Sequence, residues 1–330
     1  MEGVDTSVGS IDAVIPSAAA FALQVLQGTR EALQIAIMGL AALTMEEEPV
    51  GASSSLLEGA LKQDVIGEAR MFRLYGVNFL PPRECLQLTI RPYLQGISGN
   101  KEECERILDE ADIPLAHRGN PLGELSREEK QRIVSALVPR VRVEVLTSLV
   151  GRNFEIVSEN QEGALRWASS VWSLMRTAWA EQREGVALAV WMGDRARSLR
   201  SLMDLHIRHS TEVIEAMDNA SRAINEGEIA VEGPAAAVRV HDTKTSVLAD
   251  VGEILITDTL SQHDSVILSS EHGVSVTWKR GIASLQQAMR VMQSAGLTPT
   301  STSSTSVVLP ANTDRSLIVE SLKAMGANSE

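Results

Sequence analysis

The stretch "DLHIRHSTE", residues 204–212, gathers side chains that can bind metal: Asp204, His206, His209 and Glu212. In a helix, residues three or four apart share a face, so His206 and His209 fall together and could hold a divalent ion through their imidazole nitrogens. No motif supplies a third ligand, and the intervening Arg208 suits the alternative, a solvated helix face built on i,i+3 and i,i+4 polar pairs. Arg195, Arg197 and Arg200 open the same helix, with Arg208 on its body. Helix N-termini and guanidinium groups both attract anions, so phosphate binding is one reading and pairing with neighbouring acids is the other. "WKRG", residues 278–281, sets Trp278 beside Lys279 and Arg280 at a strand exit, a ring with two cations suited to a single nucleic-acid strand. Trp167, Trp172 and Trp179, interleaved with Arg166 and Arg176, offer further rings, but large apolar residues at this spacing also build cores and partner interfaces.

Other chemistry is missing from the motifs. There is no glycine-rich phosphate loop, no "GxSxG" and no Asp-x-Asp or His-Asp metal set in a suitable context. Cys85 and Cys104 are too few for a disulfide framework and match no zinc spacing, which leaves them as buried or idle thiols. Motifs alone do not support an enzyme.

The elements that must position these residues change character along the chain. Residues 17–43 read as two helices joined near Gly28, and "SSSLLEGALKQDVI" as a third with its serines as N-caps. "GVNFLPPRECLQLTIRPYL" holds three prolines and cannot be one long helix. "SGNKEECERILDEADI", capped by Ser98 or Asn100, and "LSREEKQRIVSALVPRV", capped by Ser126 with Glu128 and Glu129 behind it, read as two small helices with acidic first turns. From about Arg142 a helix "GALRWASSVWSLMRTAW", a buried strand "GVALAVWMG" and a long helix from "DRARSLRS" are expected. The β-like runs "AAVRVH", "EILITD", "SVILSS" and "VSVTW" follow, then a helix, the connection "SAGLTPTSTSSTSVVLP" with a strand at its end, and a last helix. Alternating strands and helices imply an α/β fold.

Composition bounds the function classes. With 44% hydrophobic and 22% charged residues the 330-residue chain should fold, and its apolar runs fall short of a membrane span. The acidic N-terminus lacks a basic n-region, so a cytosolic location without membrane contact is expected. A net charge of −13 argues against bulk attraction to nucleic acid, so any such contact must be local.

Several segments, in order, resemble the archaeal RecJ-like branch of the DHH phosphoesterase superfamily. "RPYLQGISGNKEECERILDEADIPL" followed by "LGELSREEKQRIVSALV" is similar to that family's segment between its two domains, a proline-led "P-x-x-x-G-x-S/T-G" phrase and two small acidic helices. "GSIDAVIPSAAAFALQVL" and "LQIAIMGLAAL" resemble the last part of the DHH domain, and "GALRWASSVWSLMR" with "GVALAVWMGDR" the DHH-associated domain. The resemblance implies a truncated DHH-type α/β domain over residues 1–95, a helical connecting segment over 96–141 and a DHH-associated α/β domain over 142–330.

The resemblance also marks losses. Family motifs that hold two divalent metals, the Asp-His-His triplet included, would fall mostly before Met1, and the remaining metal-binding Asp falls at Leu43 or Thr44. Neither residue ligates Mn²⁺ or Mg²⁺ as a carboxylate does. The family's "LNA-x-GR" phrase is replaced by Ala168 to Trp172, and its Gly-Gly-x-Gly-Gly-His phosphate loop by "AGLTPTSTSST", where Gly296 survives and Thr300 or Ser301 stands for the histidine. By resemblance the chain is a non-catalytic, replication-associated scaffold without a cofactor, akin to the cell-division-cycle subunit of the CMG helicase, with GINS and MCM as partners. Two readings compete. One is a single-strand 5′–3′ exonuclease, or a DHH phosphoesterase, that works with Mn²⁺ or Mg²⁺ once a missing N-terminal part is supplied. The other is a single-stranded DNA or RNA binder using Trp278, Lys279, Arg280, Arg195, Arg197 and Arg200.

Overall fold

The structure is a computed structural model that describes residues 30–45, 48 and 51–327. The helical reading of residues 17–29 and the resemblance over 9–26 lie outside them. The described chain is mixed α/β, with twelve α-helices and two sheets, and divides into two compact units, Met1–Met175 and Arg176–Glu330.

In the first unit, α1 (Arg30–Leu43) and α2 (Ala52–Lys62) precede strand β1 (Ile66–Phe72). The cap of α2 is Gly51, at φ 58°, and not one of the serines, which lie inside the first turn; there Ser54 bonds Glu58 and Ser55 bonds the Gly51 carbonyl. The helix ends at Lys62, so Ile66, read as its continuation, starts β1 instead. Short α3 (Pro82–Gln87) begins at the second of two prolines, where a missing N–H costs nothing. Helices α4 (Lys101–Glu110) and α5 (Arg127–Leu137) carry the expected caps. Asn100 accepts from the Glu103 N–H, and Ser126 and Glu129 exchange bonds as a capping box.

Helix α6 (Val143–Leu149) leads into β2 (Val150–Ile156), which pairs antiparallel with β1 over its full length. Residues 142–175, which the resemblance groups with the C-terminal domain, therefore pack in the first unit. The core of this unit joins Phe72 and Leu74 to Ile107, Ile133, Leu137 and Leu149, with Cys85 and Cys104 buried among them. Burial pushes the Cys104 thiol up to about 12, which keeps it protonated and inert. Helix α7 (Ala168–Ala180) runs from the first unit into the second.

The second unit continues with α8 (Glu184–Trp191) and the 29-residue α9 (Arg197–Asn225). The expected strand "GVALAVWMG" is α8. Its buried residues, Ala187 and Val190, are three apart, while Leu188 between them is 61% exposed. That is helical spacing, and a short apolar run does not reveal its own period. Strands β3 (Ile229–Glu232), β4 (Ala235–Arg239), β5 (Ser265–Ser269), β6 (Val274–Trp278), β7 (Thr300–Ser301) and β8 (Ser306–Leu309) form one sheet in the order β3-β4-β5-β6-β8-β7. Only β4 and β5 run parallel, and α10 (Thr245–Thr257) makes the crossover between them.

Strand alternation sends Ile267, Val276 and Trp278 to one face, where α11 (Leu285–Ser294) and α12 (Arg315–Ala327) cover them through Ala288, Met292, Ile318 and Leu322. Thr277 and Leu268 point to the other face, against α10, and α9 packs on α10 from outside. The expected strand "EILITD" is the last part of α10. Gly252 ahead of it is not a break in the chain's direction. A Cβ there would lie 2.5 Å from Thr277 Oγ1, so the glycine lets the helix approach the sheet. That tertiary contact outweighs the β-propensity of Ile254, Ile256 and Thr257.

Candidate functional site

The hydroxyl-rich connection near the C-terminus is a closed hairpin. Thr300 and Ser301 pair with Val308 and Val307, and Thr302 and Ser303 then donate backbone N–H groups to the Ser306 carbonyl at 3.2 and 3.3 Å. The Thr302 hydroxyl also donates to that carbonyl, the Ser303 hydroxyl accepts from the Thr305 N–H, and Ser306 Oγ lies 3.1 Å from Thr277 Oγ1. Thr302, Ser303 and Ser306 are buried, so their hydroxyls satisfy the hairpin and leave no row of N–H groups for a phosphate. Gly296 has φ +81°, with its N–H bonded to the Gln293 carbonyl and the Leu297 N–H bonded to Met292. This is the left-handed stop of α11. A Cβ at Gly296 would meet nothing within 4 Å, so no close approach requires the glycine there.

Beside the hairpin lies a buried charged cluster, and sequence reasoning missed it. Arg176, 2% exposed, donates to Glu253 Oε2 at 2.5 Å, lies 3.6 Å from Asp250 and reaches the Thr302 carbonyl at 3.4 Å. His209 is also buried, with Nδ1 2.7 Å from Glu181 Oε1 and Nε2 2.5 Å from Asp250 Oδ2. Carboxylates on both ring nitrogens suit an imidazolium, which donates from both. The Glu181 carboxyl is held below its ordinary range, first by the bond from His209. His206, buried as well, has Nδ1 2.8 Å from Thr177 Oγ1. The two histidines thus do not sit on a solvated face, and both bond protein side chains. They lie on the inward stripe of α9, and among the described residues no three His, Cys, Asp or Glu side chains are arranged to hold an ion. The 3.6-residue spacing through Leu202, Leu205, Val213 and Met217 was the available signal. A cleft of about 350 Å³ opens here, lined by Glu181, Lys244, Ser246, His272 and Thr302.

The cationic candidates separate. Trp278 is 1% exposed in the second core and donates Nε1–H to the Ala283 carbonyl, so its ring presents no face for a base. Lys279 and Arg280 follow it in the turn after β6 and are not buried. Arg195 donates to the Val190 carbonyl. Arg197 and Arg200, on the outward face of α9, join Arg183 and Arg208 around a concavity of about 700 Å³. The α9 N-terminus itself is taken by Asp194, whose carboxylate accepts from the N–H groups of Ala196, Arg197 and Ser198. Arg166 is buried, held by Glu155 and the carbonyls of Ile156, Val157 and Glu159, and offers no stacking plane.

In the first unit, Thr44 turns its hydroxyl onto the Ala41 carbonyl at 2.6 Å. The half-buried Arg73 guanidinium donates to the carbonyls of Thr44 and Met45 at 3.3 and 2.9 Å. A fixed positive charge thus stands where the resemblance places a metal-binding carboxylate. In the stretch that the resemblance sets against "LNA-x-GR", Ser169 and Ser170 are structural. Ser169 donates to the Leu74 carbonyl and Ser170 accepts from the Gly76 N–H.

No family model matches the sequence, and no curated protein does. Solved structures do match. CDC45 from Entamoeba histolytica superposes with a TM-score of 0.59 at 10% identity, over 93% of this chain and 70% of that one. RecJ from Thermus thermophilus matches with a TM-score of 0.33 and 16% identity in its Mn²⁺ complex, over 86% of this chain and 37% of RecJ. The Mg²⁺ complex gives 0.35 and 13%, over 94% and 51%. Nor is any helix among the described residues long and apolar enough to cross a membrane. The mixed α/β fold of this chain is similar to that of CDC45 from Entamoeba histolytica.

Proposed function

We propose that this chain is a non-catalytic RecJ-like protein that serves as a scaffold in DNA replication, with GINS and MCM proteins as its partners. The observation that carries the reading is the hairpin of residues 300–306, a stretch that the resemblance sets against the family's glycine-rich phosphate loop and whose hydroxyls are buried and backbone tightly paired. Two-metal phosphodiester hydrolysis needs both a phosphate clamp and a carboxylate cage. Arg73 beside Thr44 supports the same reading, because a bound guanidinium disfavours a divalent cation at that point. A fold can outlast its chemistry, and scaffolding needs surfaces more than ligands. The test is direct. Purified chain given Mn²⁺ and labelled single-stranded DNA leaves the DNA intact, and the chain co-purifies with GINS. Metal-dependent degradation that a chelator abolishes overturns the reading.

A further inference from the structure

The concavity between α8 and α9 is not used by the scaffold reading. Arg197, Arg200 and Arg208 recur at i, i+3 and i+11 on the outward face of α9, and Arg183 comes in from the turn ahead of α8. All four are exposed, and among the described residues none of their guanidinium groups makes an ion pair. Asp204 is the one acidic side chain among the described residues that lines the concavity, so four cations against one anion leave a local charge of +3. This is a sharp local exception in a chain of net charge −13. Like charges held together without internal partners repel one another, and an incoming multivalent anion relieves that repulsion.

The shape and lining narrow the anion. About 700 Å³ is the size of a small-ligand site and not of a track for a long chain. Val186 and Leu205 form apolar wall, and among the described residues no aromatic one lines the concavity, so a nucleic-acid strand finds no ring there to stack on. The walls are helical, so an acidic peptide would find no strand edge to pair with. Guanidinium forks bind phosphate oxygens in bidentate fashion, and several forks around one small volume match a ligand with several charges on adjacent groups. We infer that this concavity binds a small polyphosphate, a ligand with two or more linked phosphate groups, with Arg183, Arg197, Arg200 and Arg208 as its anion contacts.

Linked phosphates can come from a free nucleotide or from an inorganic chain, and titration of the full chain at low ionic strength with ATP and with inorganic tripolyphosphate separates the two. Both are expected to raise the melting temperature and to compete for one site; tighter binding of ATP assigns the nucleotide, and equal binding assigns the phosphate chain alone. The exposed double variant Arg200→Gln/Arg208→Gln should weaken binding by at least about tenfold. Arg222→Gln, further along α9, should leave it unchanged, and Asp204→Asn should strengthen it. No saturable binding of either compound, or binding that survives the double variant, overturns the inference. So does binding confined to a single-stranded 5′-hydroxyl oligonucleotide. Because these readouts involve no partner protein, failure of the inference leaves the scaffold reading standing, and the reverse holds too.

Discussion

Nε2 of His209 lies 2.5 Å from Oδ2 of Asp250, with both side chains buried between α9 and α10. Arg176 on α7 and Glu181 just beyond that helix close the same cluster, so three helical segments of the second unit are tied by charge as well as by apolar contact. Breaking such a pair by removing one member strands the other in a poor solvent for ions. His209→Ala should cost about 3–5 kcal/mol of unfolding free energy, read from the urea midpoint. Replacing both His209 and Asp250 with leucine should recover part of that loss, since no charge of this pair is then left alone.

The same cluster gives the second unit an acid limb. His209 holds the Glu181 carboxyl below its ordinary 4.5, so the folded state takes up its proton less readily than the unfolded one. The stabilisation is complete above the unfolded value and fades as pH falls through the folded one. From about pH 5 downward the melting temperature should therefore fall more steeply for the natural chain than for Glu181→Gln.

Trp278→Ala separates a core residue from a binding residue. The ring is buried under α11 and α12, and its loss should cost about 3–5 kcal/mol in chemical denaturation. At temperatures where the variant remains folded, its affinity for single-stranded DNA should equal that of the natural chain in a salt titration. A loss of affinity without a loss of stability would return the ring to the surface role its sequence neighbours suggest.

Gly296→Ala tests the assignment of that glycine as a helix stop. The site has open space but φ +81°, so alanine should cost about 1–2 kcal/mol through backbone strain alone. Circular dichroism melting reads the shift, and polyphosphate binding at the α8–α9 concavity should not change.

What the sequence made legible follows from how locally each feature is determined. Asn100 and Ser126 are readable as caps because a cap needs only a side-chain oxygen and an N–H three residues on. Strands β5, β6 and β8 are readable from their β-branched residues between turn residues. Helices α8 and α10 pass for strands because their runs are short and apolar, and the helical period shows only once the buried side is known. The pairing of β1 with β2 joins residues 66–72 to residues 150–156, a separation that no local pattern encodes. Trp278 misleads for a related reason, since "WKRG" shows a ring beside cations while the fold turns the ring inward. The Arg176–His209–Asp250 cluster is invisible in sequence because its members come from three separate segments.

The hairpin of residues 300–309 also decides how the sheet ends. Strand β7 is two residues long and occupies the outer position, so the row of unpaired backbone groups it exposes is too short to template another strand. At the opposite margin β3 is four residues long, and Arg315 from α12 pairs with its Glu232 at 2.8 Å. Such blunted margins resist edge-to-edge pairing, so the second unit can be concentrated without seeding β-rich aggregates.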